Sequence, residues 1–189
     1  MATRRKLIIT QNVTLDGSIE MLGPWFSPEF EEGQEDLIKE LARQDATADA
    51  VLFGRQTFED MRGYWPQQSD DQTGVTETLN RFTKYVVSST LDDPNWEGSV
   101  VLTGDPVEEV RTLKATEGQD IVLTGSISLA HALIPSGLVD EYRLFIYPAV
   151  QGRGRRFLPD GYVVPQLDLL ETKSFRSGVV LTCYRPLNP

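Results

Sequence analysis

The sequence predicts an α/β domain with a largely parallel central sheet, and three observations carry that expectation. Short runs rich in Val, Ile and Leu recur along the 189 residues, stretches of helical periodicity lie between them, and a Ser-Gly turn near the carboxyl end separates two last apolar runs. The strand-length runs are residues 7–13, 50–53, 85–87, 99–102, 121–123, 142–147, 167–170 and 179–184. Runs so short and so apolar suit strands buried on both faces.

Helices are expected in between. Ser27 and Pro28 fit an N-cap and first helical position, and Leu37, Ile38, Leu41 and Ala42 form a helical stripe after them. Asp105-Pro106 opens another helix, with Glu108 at its third position and Val107 and Val110 facing inward. A third starts at Ser126 or Ser128, carries Leu129, Ala132 and Leu133, and stops at Pro135-Ser136-Gly137. At the end, residues 167–175, the Ser177-Gly178 turn and residues 179–184 read as a closing antiparallel hairpin. The polar stretch "PQQSDDQTG", residues 66–74, is the expected mobile loop. Cutting there would leave two undersized cores, so residues 1–189 are read as one domain.

Charge and composition exclude several classes. A net charge of -10 repels phosphate backbones and anionic membranes, so neither nucleic acid nor a membrane is an expected partner. One cysteine, Cys183, cannot form an internal disulfide; with one histidine, His131, there is too little for a zinc site, and no metal is expected. The apolar stretch in "MATRRKLIITQNV" is too short for a signal peptide core, which makes the cytoplasm the expected location.

Two strand-to-helix turns stand out as candidate anion sites, because ligands of open α/β sheets gather at the carboxyl ends of strands, where helix starts expose unpaired N–H groups. In "LFGRQTFED", Gly54 permits close backbone approach, the amides of Arg55, Gln56 and Thr57 point outward, and the Arg55 guanidinium adds charge. "VLTGSISLA" repeats the design with Thr124, Gly125, Ser126, Ile127 and Ser128. Two such sites in one sheet suit a diphosphate. Neither turn carries a Walker ending or the Rossmann glycine pattern, and "QGRGRRF", residues 151–157, reads as a solvated turn.

Taken in order, "NVTLDG", "GRQTFEDM", "KYVVSSTL" and "IVLTGSISLAHALIPSGLVDEYRLFIYPAVQGRGRRF" make the chain resemble the dihydrofolate reductase-like superfamily. The branch it is most similar to is the reductase domain of bifunctional riboflavin-biosynthesis proteins. The resemblance implies a mixed sheet of about eight strands flanked by helices, and an NADPH-dependent reductase. It places Gly54, Arg55 and Thr57 beneath the cofactor phosphates, with Ser88, Ser89 and Thr90 near the adenosine ribose and its phosphate. The loop from Gly125 through Ser126, Ile127 and Ser128 to Leu129 would cover the diphosphate, while Asn12, Val13, Asp16 and Gly17 would border the nicotinamide. Relatives of this kind often form homodimers, and the strand "VDEYRLFIYP" would supply the contact face.

The chain departs from that pattern twice. Most relatives have two consecutive glycines where this chain has Thr124-Gly125, so Thr124 must keep a negative φ or the turn must be rearranged. In "PWFSPEFEEG" the carboxylate that folate reductases use to protonate their substrate falls on Phe30; Glu29 and Glu31 flank it, but one residue on a helix is a rotation of about 100°. Folate is therefore not the expected substrate. Asp16 is the candidate catalytic acid, and Trp25, Phe30 and Trp65 are the candidate substrate contacts, the tryptophans as flat platforms for a heterocycle. The expected reaction is hydride transfer from NADPH to a C=N or C=O bond of a pterin, pyrimidine or flavin-like ring, with water as the proton source if no side chain serves. The alternative is a nucleotide- or heterocycle-binding module without turnover, which the missing carboxylate and missing glycine would favour.

Overall fold

The computed structural model describes residues 4–164 and 166–187. Eight strands form one sheet: β1 (Leu7–Thr14), β2 (Ala48–Gly54), β3 (Thr83–Val87), β4 (Ser99–Leu102), β5 (Asp120–Thr124), β6 (Glu141–Tyr147), β7 (Leu167–Ser174) and β8 (Val180–Pro186). Their order is β4-β3-β2-β5-β1-β6-β8-β7; the first six in that order run parallel, and β8 and β7 close the sheet antiparallel. Five helices flank it: α1 (Glu35–Asp45), α2 (Arg55–Tyr64), α3 (Val75–Arg81), α4 (Pro106–Lys114) and α5 (Ile127–Leu133).

The central strands are covered on both faces, as their apolar runs require: Leu7, Ile8 and Ile9 of β1 and Leu52 and Phe53 of β2 have no exposed surface. One face packs α4 and α5 through Val110, Leu113, Leu129 and Leu133. Phe58 of α2 and Leu79 of α3 join Val51 and Phe53 in a second cluster, and Leu37 of α1 joins Phe145 and Leu181 in a third. The Asp105 carboxylate accepts from the amides of Val107 (2.9 Å) and Glu108 (3.2 Å), with Pro106 in the first turn, so α4 starts where its cap signal predicts.

Two expectations need correction, and one helix has no signal in the sequence. The first helix starts at Glu35 rather than at Pro28: Gly33 has φ +92°, which breaks helical continuity between the Ser27-Pro28 signal and the apolar stripe. Residues 66–74 are followed at once by α3, which the composition of the stretch conceals; Asp71 accepts from the amides of Thr73 and Thr76 (both 2.8 Å) and Gly74 turns with φ +79°. β7 is not buried on both faces. It is an edge strand with Leu169 and Leu170 about half exposed.

Candidate functional site

β2 and β5 are adjacent and parallel, so the turns after them end up side by side. The Gly54 N–H donates to Ser126 Oγ (2.8 Å), and the Ser126 N–H donates to Thr57 Oγ1 (2.9 Å). These two bonds stitch the openings of α2 and α5 together. Neither helix has a side-chain cap on its first-turn amides. The N–H groups of both first turns therefore face the same edge of the sheet, with no side chain among the described residues to satisfy them.

The second turn meets the condition that the sequence set for Thr124. Thr124 remains an ordinary strand residue in register with Thr10, and the left-handed conformation falls on Gly125 (φ +61°) and Ser126 (φ +47°) instead. Gly125 has to be glycine for a second reason, since a Cβ there would lie 2.9 Å from the Thr57 methyl. At Gly54 the backbone is extended (φ -79°), and an added Cβ would meet Ser126 and Leu129 only at ordinary contact distances of 3.7–3.8 Å. The protein's own packing does not demand a glycine at that position.

Arg55 links the first turn to the end of β3. Its Nε donates to Glu59 Oε1 (2.8 Å) and its Nη1 to Thr90 Oγ1 (2.7 Å). Ser88 Oγ accepts from the amides of Thr90 (3.2 Å) and Leu91 (3.1 Å), so its hydroxyl shapes this turn, while Ser89 is exposed beside it. Ile127 and Leu129 pack into the core with their side chains, leaving Ser128 exposed between them.

Across the sheet, Asp16 and Gly17 form the turn after β1, with φ +87° at Gly17. The Asp16 carboxylate accepts from Thr14 Oγ1 (2.6 Å) and from the amides of Gln151 (3.1 Å) and Gly152 (2.7 Å). These donors, Thr14 first, then Gly152 and Gln151, bring its carboxyl down to about 2. At neutral pH it carries no proton, so here Asp16 is an anchor for the 151–157 turn and a poor acid. That turn is fastened further by Arg155 to Glu20 (2.7 Å) and by Gln151 Nε2 to Ser18 Oγ (2.7 Å), while residues 152–156 are exposed, as a solvated turn requires. Replacing Asp16 by Asn, which sets an NH2 group against these donors, is expected to speed hydrogen exchange at the Gln151 and Gly152 amides about tenfold at pH 7. In the unaltered protein the same loosening should appear only near pH 2.

Between α1, α3 and the sheet lies a cavity of about 290 Å³. Its upper end meets the turn after β5 at Thr124 and Gly125 and is bordered by Asn12, Met21, Phe26 and Tyr147. Val13 points away, into the core. Trp65 lines the cavity, its indole N–H directed at Met61 Sδ (3.0 Å). Trp25 stands one layer back: its ring packs on Phe26 and Tyr147, and its Nε1 donates to Gln151 Oε1 (2.9 Å). Phe30 is not among the lining residues, although its neighbour Glu29 is. Burial first and Glu31 second push the Tyr147 hydroxyl up to about 12, which keeps it a donor.

At the opposite end the cavity is polar, with Gln44, Asp45, Thr78 and Arg143. No motif marks these residues, but two patterns contain them. Gln44 and Asp45 continue the stripe of Leu37, Ile38 and Leu41 by one turn, and Arg143 shares one face of β6 with Phe145 and Tyr147. A polar residue where an inward stripe should continue is the signal.

Comparison with known proteins agrees with this architecture. A family model described as the RibD C-terminal domain matches residues 5–181. The uncharacterized protein YyaP of Bacillus subtilis is 32% identical over 186 residues, covering 96% of this chain and 95% of YyaP. Among solved structures, a pyrimidine reductase-like protein from Corynebacterium diphtheriae superposes with a TM-score of 0.67 at 16% identity, over 98% of this chain and 93% of that one. Dihydrofolate reductase from Enterococcus faecalis, complexed with NADP(H), superposes with a TM-score of 0.66 at 17% identity over the whole of both chains. The parallel core closed by an antiparallel hairpin is thus the dihydrofolate reductase-like fold. With the family pattern running from Arg5 to Leu181 across that fold, the chain belongs to the RibD C-terminal domain family.

Proposed function

We propose that this protein is an NADPH-dependent reductase that transfers a hydride to a small heterocyclic ring. The observation that carries the reading is the pairing of the two helix openings at the ends of β2 and β5, with the turn after β5 reaching the cavity at Thr124 and Gly125. Uncapped amides from two neighbouring helices suit the two phosphates of one dinucleotide. Arg55, tied to Thr90 beside the end of β3, would meet an additional phosphate on the adenosine ribose, and on this reading NADPH is preferred over NADH.

When bound, the cofactor supplies the hydride. The chain's own residues then have three tasks: holding the diphosphate with the paired turns, presenting the ring within the cavity, and excluding water with Phe26, Trp65 and Tyr147. Asp16 does not supply the proton, because its donors keep it ionised; water entering at the cavity mouth does.

Titration with NADPH and NADH, followed by tryptophan fluorescence, tests the reading, since Trp65 lines the cavity. NADPH should bind more tightly, and Arg55→Ala should weaken NADPH roughly tenfold while changing NADH little. Failure of both nucleotides to bind would sink the proposal. A second reading, a binding module without turnover, is favoured by the absence of a protonated carboxyl at Asp16 and of any carboxyl at position 30. It would be supported by NADPH binding without NADPH oxidation across a panel of pterins and pyrimidines.

A further inference from the structure

The polar end of the cavity has chemistry that the proposed hydride transfer does not use. Arg143 is nine-tenths buried, and its Nε donates to Glu141 (2.6 Å); its two Nη groups have no hydrogen-bond partner among the described residues. Asp45, the last residue of α1, accepts from Thr78 Oγ1 (3.1 Å) through Oδ2, and its Oδ1 has no partner among the described residues. Both side chains line the cavity, and they are not paired with each other. A cationic fork with free donors thus stands near a carboxylate with a free acceptor, at the end remote from the two turns.

We infer that Arg143 and Asp45 read the edge of a lactam ring, a C=O beside an N–H, with Arg143 donating to the carbonyl oxygen and Asp45 accepting from the N–H. The inference rests on the cavity being the substrate site. Position supports it: Arg143 is in register with Thr10, one inward-facing step below the Asn12–Phe145 pair. Two residues along a strand is about 7 Å, a distance that one flat ring system covers between the nicotinamide end and the polar end.

Charge decides between a neutral lactam and an anionic group. A lone buried arginine would invite a phosphate or carboxylate. Here Glu141 already compensates Arg143, and Asp45 adds a further negative charge, in a protein that carries -10 overall. A dianion placed there would face Asp45 without an unshared cation, whereas a neutral edge with one acceptor and one donor satisfies both side chains. Burial raises the Asp45 carboxyl above its ordinary value while Thr78, Arg81 and Arg143 hold it down, in keeping with a group that lacks a full complement of partners.

The test is calorimetric titration with lumazine, which carries lactam N–H groups, and with 1,3-dimethyllumazine, in which methyl groups replace them. Lumazine should bind at least about tenfold more tightly than its dimethyl counterpart, because the methyls leave Asp45 unpaired. Arg143→Met should weaken lumazine by a similar factor, with NADPH affinity within about twofold of the unaltered protein. Asp45→Asn, which preserves shape and the Thr78 contact, should narrow the difference between the two ligands. Equal binding of the two lumazines, no binding of lumazine, or displacement of lumazine by inorganic phosphate would each overturn the inference. The ligand comparison needs no substitution, so a variant that fails to fold does not blunt it. Should lumazine discriminate as expected while NADPH does not bind, the cofactor reading fails and this assignment stands.

Discussion

Gly125→Ala should cost about 2–3 kcal/mol of stability and, on the proposed reading, at least tenfold in NADPH affinity. Two effects combine at this residue. Its φ of +61° lies in the left-handed region, which costs a residue with a Cβ about 1–2 kcal/mol. The new Cβ would also sit 2.9 Å from Thr57 Cγ2, and Thr57 cannot simply rotate away, because its Oγ1 accepts the Ser126 amide. Relief must come from separating the turn after β5 from α2, which opens the pair of helix starts.

A second substitution separates the two effects. Thr57→Ser removes the clashing methyl and keeps the hydroxyl, so the double variant should recover about half of the lost stability and the φ cost should remain. Chemical denaturation of the four proteins, with NADPH titrations alongside, gives both numbers. No recovery would mean that backbone strain alone carries the cost and that the contact with Thr57 does not matter.

The same turn shows what the sequence reveals and what it conceals. Short apolar runs between helical stripes give the parallel core, and the Ser177-Gly178 turn gives the closing hairpin, because burial and turn chemistry are local properties. The placement of the strained residue is not local. Whether the left-handed pair falls on Thr124-Gly125 or on Gly125-Ser126 depends on Thr57 and Gly54 across the turn, and the second arrangement lets Ser126 serve both. Likewise, Ser27-Pro28 is a valid helix start in isolation, but Gly33 and the packing of Leu37 against Phe145 and Leu181 move the helix seven residues on. Asp45 and Arg143 are the plainest case. They lie almost a hundred positions apart, and only the sheet and α1 bring them to the same cavity.

Glu40→Gln should lower stability at pH 7 by on the order of 2–3 kcal/mol and flatten the acid limb of the stability profile. Glu40 is buried on α1, with Arg43 (Nε to Oε2, 3.0 Å), Gln44 (2.9 Å) and Lys173 of β7 (3.0 Å) donating to it. Burial alone would raise its carboxyl. The donors outweigh burial and bring it from 4.5 down to about 2. A carboxyl lowered on folding contributes fully above its unfolded value, and that contribution disappears as the pH falls from about 4.5 towards 2. Denaturation midpoints for the two proteins should therefore differ most at neutral pH and converge near pH 2. The effect bears on the site because Glu40 pins α1, the helix that walls the cavity and ends in Asp45, to the carboxyl-terminal hairpin. Loosening that pin should weaken heterocycle binding while sparing NADPH, whose proposed contacts belong to α2 and α5. Equal weakening of both ligands would mean that Glu40 supports the whole sheet rather than the cavity wall.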